Sequence, residues 1–118
     1  MSNQPKYLMI AGMDVQPDKE ELFNDVYDTE HVPFLSAVPG VRFAMRYTGQ
    51  ELDMAIGGRT QRLGDGTEPR YYVVYGLESP EVLVSPAWGE AVESGRWPAM
   101  VRPYTSNRRH ILLERDES

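Results

Sequence analysis

This chain of 118 residues has no cysteine, only two histidines and no long apolar run. The lack of cysteine excludes disulfides, thiolate catalysis, iron–sulfur clusters and cysteine-based zinc sites. The two histidines, His31 and His110, show no recurrent spacing with each other or with carboxylates, so no metal-binding motif is present. The sequence therefore predicts neither a metal nor a resident cofactor. A haem held by one axial histidine is the single alternative left open.

Basic charge is also scarce, with 12 basic against 18 acidic residues and a formal net charge of −6. Such a surface repels a phosphate backbone on average, so no nucleic-acid partner is expected. The apolar run near the N-terminus, YLMIAGM, is too short for a signal-peptide core or a membrane span. We expect a cytoplasmic protein without a membrane partner, folded as one domain over residues 1–118.

Four segments have the composition and spacing of β-strands. They are Lys6–Asp14, Val41–Tyr47, Arg70–Leu77 and Ser106–Glu114. The second alternates along its length, which predicts a half-buried strand with Val41, Phe43, Met45 and Tyr47 on one face. The intervening arginines, Arg42 and Arg46, would then share the opposite face.

Two helices are predicted between these strands. Asp18 has the position of an N-cap, with Glu21 completing a capping box. The regular helix should end near His31 because Pro33 follows, and Pro33 can open a further short turn over Pro33–Ala37. The second helix is expected over Pro86–Ser94, opened by a Ser-Pro pair. Thr48–Pro69, between the second and third strands, lacks a sustained period and is expected to form a small hairpin arm or a lid, with Asp65-Gly66 as a turn signal.

The order of elements is β-α-β-β-α-β, which predicts an α+β fold. This order is that of the ferredoxin-like split βαβ arrangement, in which both helices cover one face of an antiparallel sheet. The other face would expose apolar side chains from four strands. A patch of that size usually marks an interface, so a homodimer is expected.

The most informative residues for function lie at the end of the first helix. Tyr27 and His31 continue the apolar stripe from Phe23 at intervals of four residues. His31 could transfer protons as an acid/base group, and Tyr27 could hold a substrate oxygen. A helix C-terminus and nearby acids would favour the imidazolium form. The alternative is that His31 caps the last helix carbonyls while Tyr27 packs in the core.

Three further residues are candidates for substrate binding. Arg42 could hold a carboxylate together with Arg46, or both arginines could pair with surplus acids at the surface. Tyr72 could present its hydroxyl to an aromatic ligand, or lie on the sheet surface. His110 could bind substrate, or belong to the sheet or a dimer interface.

The segment FNDVYDTEHVPFLSAVPGV, Phe23–Val41, resembles the helix-and-turn signature of EthD-like proteins in the dimeric α/β-barrel superfamily. Tyr27 matches the aromatic residue of that signature, and His31 and Pro33 match its His-x-Pro. The basic segment that precedes the first helix in EthD-type proteins is replaced here by MDVQPDKEE.

This resemblance implies a dimeric α/β barrel with a small ligand between the sheet and the helices of each protomer. Members of the superfamily include cofactor-free monooxygenases, isomerases, polyketide cyclases, haem-degrading enzymes and stress-responsive proteins. The prediction is cofactor-independent acid/base chemistry on a small carbonyl or phenolic compound, with His31 and Tyr27 as the catalytic pair. The alternative is a ligand-binding or stress-responsive module without turnover.

Overall fold

The computed structural model describes residues 4–117, which form a layer of helical segments against one face of a sheet. The strands are β1 (Tyr7–Val15), β2 (Val41–Thr48), β3 (Asp53–Ile56), β4 (Arg59–Arg62), β5 (Tyr71–Leu77) and β6 (Thr105–Glu114). The main sheet has the order β2-β5-β1-β6, and every adjacent pair is antiparallel. This is the predicted ferredoxin-like topology.

The helical layer combines three short α-helices with π-helical and 3-10 turns. The α-helices are α1 (Glu20–Val26), α2 (Val32–Ser36) and α3 (Pro86–Val92). The π-helical turns are Tyr27–His31 and Trp97–Val101, and the 3-10 turns are Pro17–Lys19, Pro80–Val84 and Arg102–Tyr104. No helix within residues 4–117 is long and apolar enough to cross a bilayer.

The first helical region differs from its prediction at both ends. Asp18 does not cap it, because the chain has already turned from Pro17 onward and the N-cap position falls on Lys19, which makes no capping hydrogen bond. The regular helix α1 ends at Val26, ahead of the predicted end near His31, and the further short turn expected from Pro33 is α2. The Val32 N–H donates to the Tyr27 carbonyl, five residues back, so a wide π-helical turn carries the backbone past Pro33, which lacks an N–H of its own.

The second helical region follows its prediction more closely. The Ser85 side chain accepts a hydrogen bond from the Trp88 N–H, as a cap ahead of Pro86 should. The helix ends at Val92, and Gly95 with a φ of +71° turns the chain into the second π-helical turn. No sequence pattern predicted this turn, Trp97–Val101.

The segment 48–69 forms a hairpin arm, one of the two forms expected for it. Strands β3 and β4 pair across Gly57 and Gly58, whose φ values of 60° and 78° are those of a tight two-residue turn. The predicted turn at Asp65-Gly66 is therefore not the hairpin turn. Asp65 instead accepts a hydrogen bond from the Thr67 N–H in the return to β5.

A bulge between Val41 and Phe43 interrupts the alternation predicted for β2, so Phe43, Met45 and Tyr47 share one face as predicted but Val41 lies on the other. Beyond it, Ala44 packs against the core, whereas the Phe43 ring lies against Gly76 on the other face of the sheet. Met45 and Tyr47 are 50% and 55% exposed. The extra residue shifts the period by one, and every later side chain of the strand exchanges faces.

Candidate functional site

A cavity of about 270 Å³ lies between the helical layer and the sheet. Its apolar and aromatic lining comes from β1, β5 and the helical segments: Met9, Ala11, Met13, Tyr27, Leu35, Tyr75, Leu83, Trp88, Val92 and Trp97. Three residues with basic side chains also line it: His31, Arg108 and His110. An apolar chamber with a few converging polar groups is the usual form of a small-molecule site.

His31 lies in the wall of this cavity and is 6% exposed. Its ring stacks on Trp97, with the ring centroids 4.3 Å apart and the planes 19° from parallel. Tyr27 lies 5.3 Å from His31 and 5.0 Å from Trp97 between centroids. The two π-helical turns supply all three rings, and π-helical turns are frequent at functional sites.

A carboxylate–guanidinium contact holds the two π-helical turns together beside the stack. Glu30 precedes His31 and accepts hydrogen bonds from both the backbone N–H and the Nε of Arg96, which precedes Trp97. A side chain at Gly95 would collide with the Glu30 carboxylate. We call Glu30 and Arg96 the latch. It fixes the register between the turn that carries His31 and the turn that carries Trp97.

The imidazole of His31 is neutral, contrary to the predicted imidazolium. Burial lowers its pKa to about 4, with smaller effects in the same direction from Arg102 and Arg108 and an opposing effect from Glu93. The helix does not end at His31, so no free helix terminus stabilises a positive charge there. The neighbouring acids are also engaged elsewhere, because Glu30 binds Arg96 and Asp28 binds Arg46.

Within residues 4–117, the Nδ1 atom of His31 is completely enclosed and has no hydrogen-bond partner. A buried polar atom without a partner is uncommon and calls for a physical reason. The ring therefore does not cap helix carbonyls through this nitrogen, as the alternative interpretation supposed. The remaining ring nitrogen, Nε2, is the one left for contact with a molecule in the cavity.

Tyr27 is buried at 2% exposure, and its hydroxyl donates to the sulfur of Met13 at 3.7 Å. Burial raises the pKa of Tyr27, so the phenol stays protonated over the physiological range. The Arg46 guanidinium lies 5.0 Å from the centre of the Tyr27 ring. Arg46 also binds Asp28 and Asn24, which fastens β2 to the helix that carries Tyr27.

The remaining predicted residues divide between the two faces of the sheet. His110 lines the cavity, and burial together with Arg108 lowers its pKa. Tyr72 lies on the opposite face, where its ring covers Gly12. Arg42 lies on that face too, beside Met45 and Tyr47. Arg42 and Arg46 therefore do not share a face and cannot form the suggested clamp, because the β2 bulge separates them.

The cavity residues that were not predicted as site residues include Tyr75, Trp97 and Arg108. Strand alternation could have found Tyr75, because it shares parity with the buried Tyr71 and Val73, whereas Tyr72 does not. Arg108 shares parity with His110 on β6 in the same way. Nothing in the sequence marked Trp97, because its π-helical turn has no recognisable pattern.

Other ligand chemistry finds less support in the described part of the chain. Among residues 4–117, no three His, Asp or Glu side chains converge to hold a metal ion. None of the described cavity-lining residues belongs to the segment 48–69, so the hairpin arm does not border this cavity in the structure.

Comparison with solved structures places the chain in a known fold. The haem-degrading protein MhuD of Mycobacterium tuberculosis, solved with two haems bound in its active site, superposes with a TM-score of 0.50. The match covers 95% of this chain and 97% of that chain, at 19% sequence identity. No family model and no curated protein matches the sequence. At this identity the likeness shows the ferredoxin-like fold alone, and membership among EthD-like proteins stays a prediction.

Proposed function

We propose that the chain is a small-molecule enzyme that carries out proton transfer on a compact carbonyl or phenolic compound, using its own side chains. His31 is the acid/base group that meets the substrate oxygen, and Tyr27 orders the His31 ring. The observation that carries the proposal is a neutral, buried histidine in a cavity where Arg108 and His110 converge with it.

The lining suggests the kind of compound. Aromatic rings and methionines favour a flat, largely apolar body, and a volume of about 270 Å³ suits a molecule with one or two rings. Arg108 offers a guanidinium that can pair with a carboxylate or an enolate oxygen. Aromatic keto acids and hydroxylated aromatic ketones combine these features.

MhuD, which has a similar fold, was solved with haem bound, so haem is a second ligand to compare with the residues of the cavity. A neutral imidazole has the chemistry of an axial ligand. However, the cavity lies just below the lower end of the volumes usual for small-molecule sites, and a tetrapyrrole ring is larger than that. The residues present do not fit an enclosed haem, and no step of the proposed chemistry involves one.

The proposal is tested with phenylpyruvate, which has an aromatic ring, a carboxylate and an exchangeable carbon-bound proton. In D₂O, NMR should show that the protein accelerates deuterium incorporation beside the carbonyl. His31→Phe, which keeps a flat ring on Trp97, should lower this rate about 10²–10⁴-fold. A His31→Phe variant as active as the parent protein would overturn the assignment of His31.

A matched pair of arginine variants tests which residue binds the carboxylate of phenylpyruvate. Arg108 lines the cavity, and Arg42 lies on the opposite face of the sheet. Arg108→Ala should weaken phenylpyruvate binding, measured by calorimetry, whereas Arg42→Ala should not. Binding without proton exchange would favour the alternative of a ligand-binding module. In a separate titration of the protein with haem, the Soret band should not shift.

We further propose that the chain functions as a homodimer through the face of the sheet that the helices leave uncovered. That open face carries Met45, Tyr47, Ile111 and Leu113, each between 45% and 55% exposed. Burying such a patch against a second copy would supply the roughly 800 Å² per partner of a standard interface. The cavity lies on the other side of the same strands, so dimerisation would leave it open to ligand.

A further inference from the structure

The two nitrogens of the His31 ring are in different surroundings. Nδ1 is enclosed, and no other group in residues 4–117 hydrogen-bonds to it. The ring as a whole lines the cavity, stacked flat on Trp97. The edge that faces the cavity therefore carries Nε2. Nε2 is therefore the ring nitrogen left for a hydrogen bond with a molecule in the cavity.

A neutral imidazole has one N–H donor and one acceptor lone pair, and the surroundings decide which nitrogen holds the proton. A proton on Nδ1 would leave an enclosed N–H without an acceptor, which native proteins rarely tolerate. An enclosed lone pair is the lesser loss. We infer that His31 holds its proton on Nε2 and presents this N–H to the cavity, so the site selects ligands that place an acceptor oxygen there.

The surroundings of the ring keep it neutral over the range in which a free histidine titrates. Burial is the main cause of its lowered pKa of about 4, and Arg102 and Arg108 add to it against the opposing effect of Glu93. Ionisable groups surround the ring from every side. Tyr27 belongs to the same turn as His31, Glu93 directly follows α3, and Arg102 begins the 3-10 turn Arg102–Tyr104. The sheet contributes Tyr75, Arg108 and His110.

This assignment deepens the proposed function, on which it rests for the identity of the reaction. His31 supplies the acidic half of the chemistry by donating a hydrogen bond to the oxygen that becomes negative. When a base removes a carbon-bound proton, the electron pair of that C–H bond moves toward the carbonyl oxygen, where Nε2–H and Arg108 meet it. The base is then a group other than His31, and His110 is the second imidazole at the cavity.

A neutral histidine donor has a recognised use in catalysis, because an imidazole that cannot become imidazolium can still polarise a carbonyl. The ligand class follows from the same geometry. Carbonyl, carboxylate and phenolate oxygens accept from Nε2–H. A ligand that offers only a donor at that point leaves two donors facing each other and should be rejected.

The tautomer can be measured directly in the free protein. Two-bond ¹H–¹⁵N correlation spectra of ¹⁵N-labelled protein at pH 7 should show His31 protonated at Nε2 and unprotonated at Nδ1. His110→Gln should leave the His31 signals in place, which assigns them. The same pattern should persist at pH 5.5, where an ordinary histidine is charged. A proton on Nδ1, or an imidazolium at pH 5.5, would overturn the inference.

Two substitutions test the same point with a ligand present. His31→Gln can place an amide N–H where Nε2–H was, whereas His31→Asn is too short to do so. Phenylpyruvate affinity should fall less than about tenfold in His31→Gln and more than that in His31→Asn. Equal losses in the two variants would count against a donor at Nε2. An Nε2 proton in a protein that neither binds nor exchanges phenylpyruvate would keep this inference and remove the proposed function.

Discussion

The two faces of the central sheet are made by the same strands, yet they have opposite relations to water. On the helix side, Val73 and Tyr75 of β5 are 1% and 2% exposed, and the cavity opens beside them. On the open side, Met45 and Ile111 of the edge strands are each about half exposed. Both faces are apolar, so hydrophobicity alone does not decide what is buried. The short helical segments cover one face and leave the other uncovered.

This comparison separates two tasks within one small chain. The covered face holds the candidate site residues in a fixed arrangement, because stacked rings and the latch order them. The open face contains none of the basic residues that line the cavity. Substitutions on the two faces should therefore have different kinds of effect, and neighbouring residues of one strand can serve as controls for each other.

The largest expected effect is the loss of the dimer. Ile111 and Leu112 are neighbours on β6 with similar exposure, but Ile111 is paired with Ile10 on the open side and Leu112 with Met9 on the helix side. Ile111→Lys should dissociate the dimer, because a charge would be buried in the interface, whereas Leu112→Lys should not. Light scattering should show the mass falling from twice 13.4 kDa to that value in Ile111→Lys alone. A parent protein that is already monomeric at micromolar concentration would remove the proposed dimer.

The next effect concerns aromatic side chains on the two faces. Phe23 is fully buried and packs on Tyr27, Tyr71 and Trp97, so Phe23→Ala should reduce the free energy of unfolding by about 3–5 kcal/mol. This loss should not depend on protein concentration. Tyr47→Ala on the open face should cost much less in dilute solution, and its effect should grow only where the dimer forms. Urea unfolding at two concentrations measures both, and equal losses in the two variants would remove the distinction between the faces.

The third prediction is a pH dependence that belongs to the covered face. The pKa of His31 falls from 6.5 to about 4 on folding, so the unfolded chain binds more protons between those values. Stability should be unaffected above pH 6.5, decline as the pH falls from 6.5 to 4, and level off below that. The total loss should be about 3 kcal/mol, and His31→Phe should abolish this part of the pH dependence. A parent protein whose stability is flat between pH 6.5 and 4 would show that His31 is accessible to protons.

Sequence patterns were sufficient for the topology. The four strands of the main sheet and their order followed from short-range alternation and from turn signals, which depend on local backbone geometry. Ser85 capped its helix as expected because the Ser-Pro signal is also local. Tyr27 and His31 were placed on the buried side of the helix because a spacing of four residues keeps them on one stripe.

The predictions were wrong where one extra residue in a strand or a helical turn changed the spacing of the side chains on each face. Because of the bulge in β2, Arg42 and Arg46 lie on opposite faces of the sheet. Because of the π-helical turn, the regular helix α1 ends at Val26 and the helical backbone continues into α2. Neither device has a local sequence signal, because both are stabilised by tertiary packing. The neutral state of His31 was missed for the same reason, since it depends on burial beneath Trp97 from a distant part of the chain.

The smallest expected effect concerns the latch. The backbone N–H of Arg96, followed by its side chain, lowers the pKa of Glu30, so the charged carboxylate is stabilised in the folded state. That contribution is complete above pH 4.5 and is lost as the pH falls through the lower folded-state pKa. Glu30→Gln should therefore remove an acid-sensitive part of the stability below pH 4.5, measured by urea unfolding. It should change stability less than the protonation of His31 does.

The titration of the His31 ring tests whether the latch holds this ring in position. Because Glu30 and Arg96 directly precede the two stacked residues, weakening their contact should loosen the stack and raise the pKa of His31 toward 6.5. NMR titration of the His31 ring in Glu30→Gln measures this shift. Glu51→Gln is the matched control, because its ion pair with Arg62 lies on the hairpin arm with the carboxylate 86% exposed, where such pairs contribute little. If both variants leave the His31 titration unchanged, the stack is held by ring packing alone and the latch has no part in positioning it.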